Sequence, residues 1–215
     1  MHDLAVILAA AVAAYLIGSI NFSVIISKAI SGKDIRESGS GNAGATNMLR
    51  THGKKMGVLI LILDVLKGVT ATLIAFLLKN SILEDNAFAL NLPYIIGVCV
   101  ALGHNFPVFF GFKGGKGVAT SLGVILVIDW QIGLVVAVVS IGLMAATGFV
   151  SLGSITGALL FIIAEIVRLS ILGTITPIVV VCIFILGSLL IIRHHANIKR
   201  LINKTENSLY KKKGE

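Results

Sequence analysis

The chain has 215 residues, of which 56% are apolar and only 13% are charged, and its formal net charge is +8. Its mean hydropathy is +0.99. Soluble domains are about half apolar and about a quarter charged, so this chain lacks the polar surface that water requires. The composition therefore argues against a single soluble domain and excludes a disordered chain, and it indicates a membrane protein.

Seven apolar runs predict an all-α integral membrane protein, a seven-helix transmembrane bundle that forms one domain over residues 1–215. The first run lacks the basic segment and small-residue cleavage site of a secretory signal, so we expect a retained helix. The fourth run is too short to span a bilayer without help from its flanks. The runs are Leu4–Ile30, Met56–Leu78, Leu92–Phe110, Val118–Ile128, Ile132–Thr147, Ser154–Leu169 and Ile175–Ile192.

The cations predict the orientation. All but three of the 18 lysines and arginines flank the connection after the first run, follow the third run or lie in the C-terminal tail; the exceptions are Lys67, Lys79 and Arg168. Seven or five crossings place these three regions on one side, whereas six or four do not. The positive-inside rule then predicts an N-terminus outside and a cytoplasmic C-terminus. Because the cations flank apolar runs, no nucleic-acid partner is expected.

The connection after the first run is rich in glycine and small polar residues. Gly39, Gly41 and Gly44 form a GxGxxG pattern, but a dinucleotide fingerprint needs a βαβ unit, which is not expected here. Glycines nevertheless let backbone N–H groups converge on an anion. We therefore interpret this segment as a phosphate-binding loop, with a flexible polar loop as the alternative. Its hydrogen-bonding side chains are Ser40, Asn42, Thr46, Asn47 and Arg50.

A second polar segment follows Gly103-His104-Asn105-Phe106-Pro107. Lys113 and Lys116 bracket Gly114 and Gly115 just before a helical run, whose N-terminus favours anions. This is not a Walker A loop, because that motif requires Ser or Thr after its lysine. The alternative is an ordinary basic cytoplasmic turn, and His104 alone is typical of a helix end.

A third polar segment, Arg193–Leu201, begins the tail. If it is helical, His194, Asn197 and Arg200 share one face. A metal at His194 and His195 is disfavoured, because adjacent helical side chains point about 100° apart and no acidic residue completes a site nearby. We expect neither a metal nor another cofactor.

Two further polar features lie near these segments. Asp64 and Lys67 are three residues apart in the second run, and the cost of charge in lipid predicts an ion pair that is either structural or shapes the site. Ser151-Leu152-Gly153-Ser154 is either a tight turn or a fourth wall of the site. Cys99 and Cys182 lie in apolar runs and are expected to pack there.

Taken in this order, the three segments resemble the three motifs of the bacterial PlsY family of integral-membrane acyl-phosphate:glycerol-3-phosphate acyltransferases. The resemblance covers nearly the whole chain. Two departures are small. Ala43 replaces the Pro or Val that is common there, and Lys204 replaces a glycine that often precedes Glu206.

The resemblance implies transfer of a fatty acyl group from acyl phosphate to the 1-hydroxyl of glycerol 3-phosphate. The products would be lysophosphatidic acid and inorganic phosphate, in the first acylation of phospholipid biosynthesis. The implied partners are these two substrates, membrane lipid and an upstream enzyme that supplies acyl phosphate. The implied location is the bacterial cytoplasmic membrane, which the chain crosses several times, with the active site facing the cytoplasm.

The resemblance also assigns residues. The implied catalytic residues are Ser40, Lys116, His194 and Asn197. The same four residues and Arg50 would bind glycerol 3-phosphate. The implied acyl-phosphate contacts are Gly41, Asn42, Gly44, Thr46, Asn47, Lys113, Gly114 and Gly115. The base is either a substrate phosphate, which we favour, or His194.

Two other classes compete with an enzyme. An anion transporter also has spans, glycines and buried charge, but transporters tend to show repeats and helices broken at mid-membrane. A lipid-binding scaffold does not require three separate phosphate-binding segments. Phosphate release from acyl phosphate separates the enzyme from both alternatives.

Overall fold

The computed structural model describes residues 2–81 and 91–210, and only the backbone of Ser81. In these ranges it has ten α-helices, two short 3-10 turns and no β-strand, which confirms the all-α class. The turns are Ile35–Glu37 and Val108–Phe110. The helices are α1 (His2–Ser19), α2 (Phe22–Ser31), α3 (Ala45–His52), α4 (Lys54–Ser81), α5 (Leu92–Asn105), α6 (Val118–Ile128), α7 (Trp130–Thr147), α8 (Val150–Ile171), α9 (Pro177–Arg193) and α10 (His195–Ile202).

Within the described ranges, five helical segments are long and apolar enough to cross a membrane. The pair α9 and α10, bent by 55° at its junction, brings the number to six if it forms one span. Helix α6 matches the fourth predicted run but is too short for this criterion. The seven-helix bundle and its orientation therefore remain predictions.

The chain divides into two compact units, Met1–Ile128 and Asp129–Glu215. We call them unit 1 and unit 2. The single domain predicted over residues 1–215 remains a prediction.

The first apolar run, expected to be a retained helix, forms one candidate span over His2–Ser31 that is interrupted at Ile20 and Asn21. The helix breaks between α1 and α2, where the Asn21 side chain caps α2 by accepting from the Val24 N–H at 3.2 Å. The Lys67 ammonium donates to the Gly18 and Ile20 carbonyls, both at 3.1 Å. Polar groups from another helix therefore satisfy the backbone that the break exposes, as apolar surroundings require.

Lys67 also confirms the predicted ion pair, because its Nζ atom lies 3.0 Å from Asp64 Oδ1. Both side chains are buried. The pair thus connects the middle of α4 to the end of α1.

Glycines bring the helices of unit 1 into backbone contact. A Cβ atom added to Gly18 would lie 2.2 Å from the Val100 carbonyl oxygen, so α1 and α5 touch there. A Cβ atom added to Gly68 would lie 2.2 Å from the Thr120 carbonyl oxygen, and α4 and α6 touch in the same way. Such close approach is typical of membrane helix packing.

In unit 2, the end of the described chain folds back along α7. The Leu209 N–H donates to the Gly148 carbonyl at 2.8 Å, and the Tyr210 hydroxyl donates to the Ala145 carbonyl at 2.5 Å. At the opposite end of α7, Asp129 caps the helix and forms an ion pair with Arg168 of α8. The contacts of Leu209 and Tyr210 hold the segment that follows α10 against the end of α7.

Candidate functional site

The first glycine segment, loop 1 (residues 32–44), is held in shape by the buried side chain of Asn47. Its Nδ2 group donates to the Ile35 and Ser38 carbonyls at 3.1 and 2.9 Å, and its Oδ1 atom accepts from the Ser40 N–H at 2.9 Å. Gly39 has a φ of 59°, and a Cβ atom there would lie 2.3 Å from Asn47 Oδ1. The loop therefore needs glycine at this position for both conformation and space.

Loop 1 ends at the N-terminus of α3, with Gly44 as the N-cap residue. The first N–H groups of a helix have no partner within the helix and suit an anion. Ser40 and Arg50 are exposed, whereas Asn42 and Thr46 are half-buried. Ser40, Asn42 and Thr46 thus lie at or just before the start of α3, Arg50 lies in its last turn, and the Asn47 amide bonds to the loop backbone.

The second glycine segment, loop 2 (residues 106–117), folds back onto the end of α5. The Gly114 N–H donates to the Asn105 carbonyl and the Gly115 N–H to the His104 carbonyl, both at 3.2 Å. Loop 2 leads directly into α6, which begins at Val118 as the sequence predicted. Lys113 is exposed and Lys116 is half-buried beside this helix start.

The two loops approach each other around His104. A Cβ atom added to Gly115 would lie 2.1 Å from His104 Nε2 and 2.9 Å from the Ala43 carbonyl oxygen, so only glycine fits between them. On its other side, His104 Nδ1 lies 3.6 Å from Asp64 Oδ1. The buried ion pair of α4 therefore also lies against the histidine that supports loop 2.

Asp34 and Arg36 are functional candidates that the sequence analysis missed. Asp34 accepts from Arg36 at Nε (3.0 Å) and Nη2 (2.8 Å), and it caps the turn Ile35–Glu37 by accepting from the Arg36 N–H. The hydrogen bonds and charge of Arg36, with Lys28 adding a smaller attraction, lower the pKa of Asp34 to about 2. The same carboxylate raises the pKa of Arg36 above its usual value. The signal that could have revealed them is an acid and a base two residues apart just before the glycines.

In unit 2, the third segment forms the helix that the spacing predicted. His194 is buried at the junction of α9 and α10, where its Nδ1 atom lies 2.8 Å from the Leu190 carbonyl oxygen. A carbonyl can only accept, so Nδ1 carries the proton. In the neutral imidazole, Nε2 is then the acceptor.

Glu206 organises the other side chains of unit 2, and its role was not predicted. It accepts from Asn197 Nδ2 at 2.7 Å and from Arg200 Nε at 2.8 Å. Ser151 Oγ also donates to it at 3.1 Å. This contact places the start of α8 beside the third segment. It favours the interpretation of Ser151–Ser154 as a wall beside the site residues over the interpretation as a tight turn.

Lys204 allows the chain to turn back so that Glu206 reaches α10. Its φ of 57° lies in the left-handed region. The Thr205 N–H donates to the Arg200 carbonyl at 2.8 Å and the Lys204 N–H donates to the Leu201 carbonyl at 3.2 Å, which is a Schellman motif. Glycine adopts this conformation without strain, which explains why the family often has glycine at the position of Lys204.

Across the described residues, no group of three or more His, Cys, Asp or Glu side chains is arranged to hold a metal ion. Loops 1 and 2 carry the cations Lys33, Arg36, Lys113 and Lys116, with Arg50 on α3, and the cations at or beside α10 are Arg193, Lys199, Arg200 and Lys204.

The comparisons with known proteins agree on one family. The sequence profile described as Glycerol-3-phosphate acyltransferase matches residues 8–204. The chain is 45% identical over 203 residues to a Glycerol-3-phosphate acyltransferase of Clostridioides difficile (strain 630), covering 94% of this chain and 95% of the relative. It is 44% identical over 202 residues to the protein of that name from Thermoanaerobacter sp. (strain X514), with the same two coverages.

Two solved structures are also similar. Both are crystal structures of PlsY, described as an integral membrane glycerol 3-phosphate acyltransferase. The glycerol 3-phosphate form has a TM-score of 0.81 and 40% identity, covering 94% of this chain and 95% of that one. The lysophosphatidic acid form has a TM-score of 0.76 and 39% identity, with 94% of each chain covered. The chain therefore belongs to the glycerol-3-phosphate acyltransferase family of the PlsY type, and it is an integral-membrane acyltransferase.

Proposed function

We propose that the chain transfers a fatty acyl group from acyl phosphate to the 1-hydroxyl of glycerol 3-phosphate, producing lysophosphatidic acid and inorganic phosphate. The observation that carries this proposal is the pair of glycine loops in unit 1. Each leads into a helix N-terminus, and Lys113 and Lys116 lie just before the second of these helices. Such an arrangement suits phosphate groups. The crystal structures of the similar PlsY are described with glycerol 3-phosphate and with lysophosphatidic acid, the expected acceptor and product.

The choice of acyl phosphate as donor follows from the resemblance and from chemistry. The acceptor oxygen attacks the carbonyl carbon, and the bond between that carbon and the phosphate oxygen breaks. Phosphate leaves readily, so the reaction needs no covalent enzyme intermediate. What the protein must supply is positioning of two mutually repelling anions and stabilisation of the developing oxyanion.

We assign the residues as the resemblance implies, with one refinement. Glycerol 3-phosphate is bound by Ser40, Arg50, Lys116, His194 and Asn197. Acyl phosphate is bound by Gly41, Asn42, Gly44, Thr46, Lys113, Gly114 and Gly115. Asn47 contributes by shaping loop 1, because its amide bonds to three backbone groups of that loop.

The proton of the attacking hydroxyl passes to an oxygen of a substrate phosphate. His194, whose Nδ1 atom is held by the Leu190 carbonyl, orients the hydroxyl. If His194 were the base instead, the His194→Ala variant would lose turnover and its pH–rate profile would shift. With a phosphate base, turnover falls but the shape of the profile is retained.

The reaction itself is tested with purified protein in detergent, acyl phosphate and glycerol 3-phosphate. We expect one phosphate released per lysophosphatidic acid formed and no product with acyl-CoA as the donor. Equal activity with acyl-CoA would contradict the donor assignment. Flux of glycerol 3-phosphate into sealed vesicles without phosphate release would instead support a transporter.

A matched pair of variants tests the binding assignment. Arg50 and Lys54 are both exposed cations at the junction of α3 and α4. Arg50→Gln should lower kcat/KM for glycerol 3-phosphate at least about tenfold, as expected for loss of a charged hydrogen bond to phosphate. Lys54→Gln should change it less than about twofold, because an exposed charge outside the site contributes little. Equal effects of the two variants would mean that Arg50 contributes only its positive charge and does not bind the phosphate specifically.

A further inference from the structure

Arg36 bridges the two loops that we propose bind acyl phosphate. Its Nη1 atom donates to the Phe110 carbonyl at 2.8 Å and to the Lys113 carbonyl at 3.0 Å. Its Nε and Nη2 atoms are held by the Asp34 carboxylate of loop 1. One guanidinium group thus connects the backbone of loop 2 to an acidic side chain of loop 1.

The stretch of loop 2 that Arg36 contacts needs such support. Gly111 and Phe112, which lie between the two bonded carbonyls, have φ values of 64° and 59°. A non-glycine residue with positive φ is strained, and such strain persists only where the surroundings hold it. The planar fork of arginine fits this task, because it can bind a carboxylate on one side and carbonyls on the other.

We infer that Arg36, oriented by Asp34, is a positioning residue that holds Lys113, Gly114 and Gly115 in register with loop 1 for binding of the acyl-phosphate donor. This inference rests on the proposed function, since it needs loop 2 to bind that donor. Arg36 acts through loop 2 and is not assigned a contact with either substrate.

If Arg36 acted only through its positive charge, its substitution by lysine would have no effect, whereas a positioning role predicts a loss. Lysine keeps the charge of Arg36 but cannot bind both the carboxylate and two carbonyls. Lys28 supplies a control, because its ammonium lies 3.6 Å from the same Asp34 carboxylate and is largely exposed. Lys28→Gln removes a nearby charge and leaves the bridge between the loops intact.

The test measures steady-state kinetics of four proteins, the wild type and the variants Arg36→Lys, Arg36→Ala and Lys28→Gln. For both Arg36 variants we expect the KM for acyl phosphate to rise at least about fivefold while the KM for glycerol 3-phosphate changes less than about twofold. Lys28→Gln should match the wild type. Millimolar guanidinium should restore part of the lost affinity in Arg36→Ala. Wild-type kinetics in Arg36→Lys, or equal losses for both substrates, would overturn the inference.

Hydrogen exchange separates this inference from the proposed function. In Arg36→Ala, the amides of residues 111–117 should exchange faster than in the wild type, with the amides of α2 unchanged. Unchanged exchange in loop 2 would refute the bridge whatever the substrates are. If loop 2 loosens but the wild type does not use acyl phosphate, the bridge stands and the proposed donor is wrong.

Discussion

Lys204 adopts a backbone conformation that is unfavourable for a residue with a side chain. It occupies the left-handed C′ position of a Schellman motif, where a side chain costs roughly 1–2 kcal/mol relative to glycine. Lys204→Gly should therefore stabilise the protein by about 1 kcal/mol and raise its thermal unfolding midpoint in detergent.

The matched control is Lys199→Gly, an exposed position inside α10. Glycine in a helix interior costs about 1 kcal/mol, so this variant should unfold at a lower temperature. If Lys204→Gly also lowered the midpoint, the conformation described for the turn would be wrong.

Asn47 is expected to act on stability as well as activity. Asn47→Ala leaves the Ile35 and Ser38 carbonyls and the Ser40 N–H without their partner, which costs roughly 1–3 kcal/mol for each buried group. We expect a lower unfolding midpoint together with loss of activity. Asn42→Ala, at a half-buried position of the same loop, should lose activity with little change in stability. An Asn47→Ala variant that is as stable as the wild type would favour a direct substrate contact.

Some roles of single residues were predictable from the sequence and others were not. Residue types marked Ser40, Arg50 and Lys116 as candidates for phosphate binding, and the resemblance to the family implied their roles, which stay predictions. They did not reveal that Asn47 bonds inward, or that Glu206 gathers Ser151, Asn197 and Arg200. Those roles depend on which groups a turn brings together, and a turn at a non-glycine residue such as Lys204 leaves little trace in the sequence.

At the scale of elements, the turn Ile35–Glu37 should respond to acid. Asp34 has a pKa of about 2 in the folded protein and an ordinary value of 3.8. A lowered carboxyl pKa stabilises the fold above pH 3.8, and that contribution is lost as pH falls through about 2. The stabilisation amounts to at most about 2 kcal/mol. Asp34→Asn should be less stable near neutral pH and should lose less stability than the wild type on acidification across this window. Parallel stability curves for the two proteins would contradict this role.

The broken first span is the element that the sequence pattern did not predict. Ser19, Asn21 and Ser23 are polar, but long apolar stretches flank them, so the mean hydropathy of the run does not mark the break. Its cause lies on α4, where Lys67 binds the carbonyls at the end of α1. The pairing of Lys67 with Asp64 was predictable from the cost of charge in lipid, but the reach of Lys67 to another helix was not.

Removing Lys67 should therefore be costly. Lys67→Met leaves a buried Asp64 without its nearest cation, which is expected to destabilise by about 3–5 kcal/mol. The double variant Asp64→Asn and Lys67→Met should recover part of this loss, though not all, because the Gly18 and Ile20 carbonyls still lack their donor. Thermal unfolding of both single variants and the double variant measures the coupling. Additive effects would mean that the two side chains do not interact.

At the scale of the whole molecule, composition predicted the membrane class and the helical fold, and hydropathy located nearly every long helix. The number of crossings was harder to predict, and α6 is the reason. Its 11 residues extend only about 16 Å, against a hydrocarbon thickness of about 30 Å. It can cross only if its flanks lie inside protein, and Gly114, Gly115 and Asp129 are indeed buried. The sequence pattern of α6 does not indicate whether the residues that flank it are surrounded by protein or by lipid.

Whether α6 crosses decides the side on which the third segment lies. With seven crossings, all three polar segments face the cytoplasm, and without α6 the third segment would face outward. The proposed reaction therefore requires that loop 1, loop 2 and α10 share the cytoplasmic side.

The most direct test is labelling of intact cells with a membrane-impermeant maleimide, in a protein whose Cys99 and Cys182 are replaced by alanine. Single cysteines are introduced at the exposed positions Lys33, Lys113 and Lys199, with the exposed Thr174 as the outward control. We predict that Thr174→Cys is labelled in intact cells and that the other three are labelled only after permeabilisation. Labelling of Lys33→Cys, Lys113→Cys or Lys199→Cys in intact cells would contradict the account.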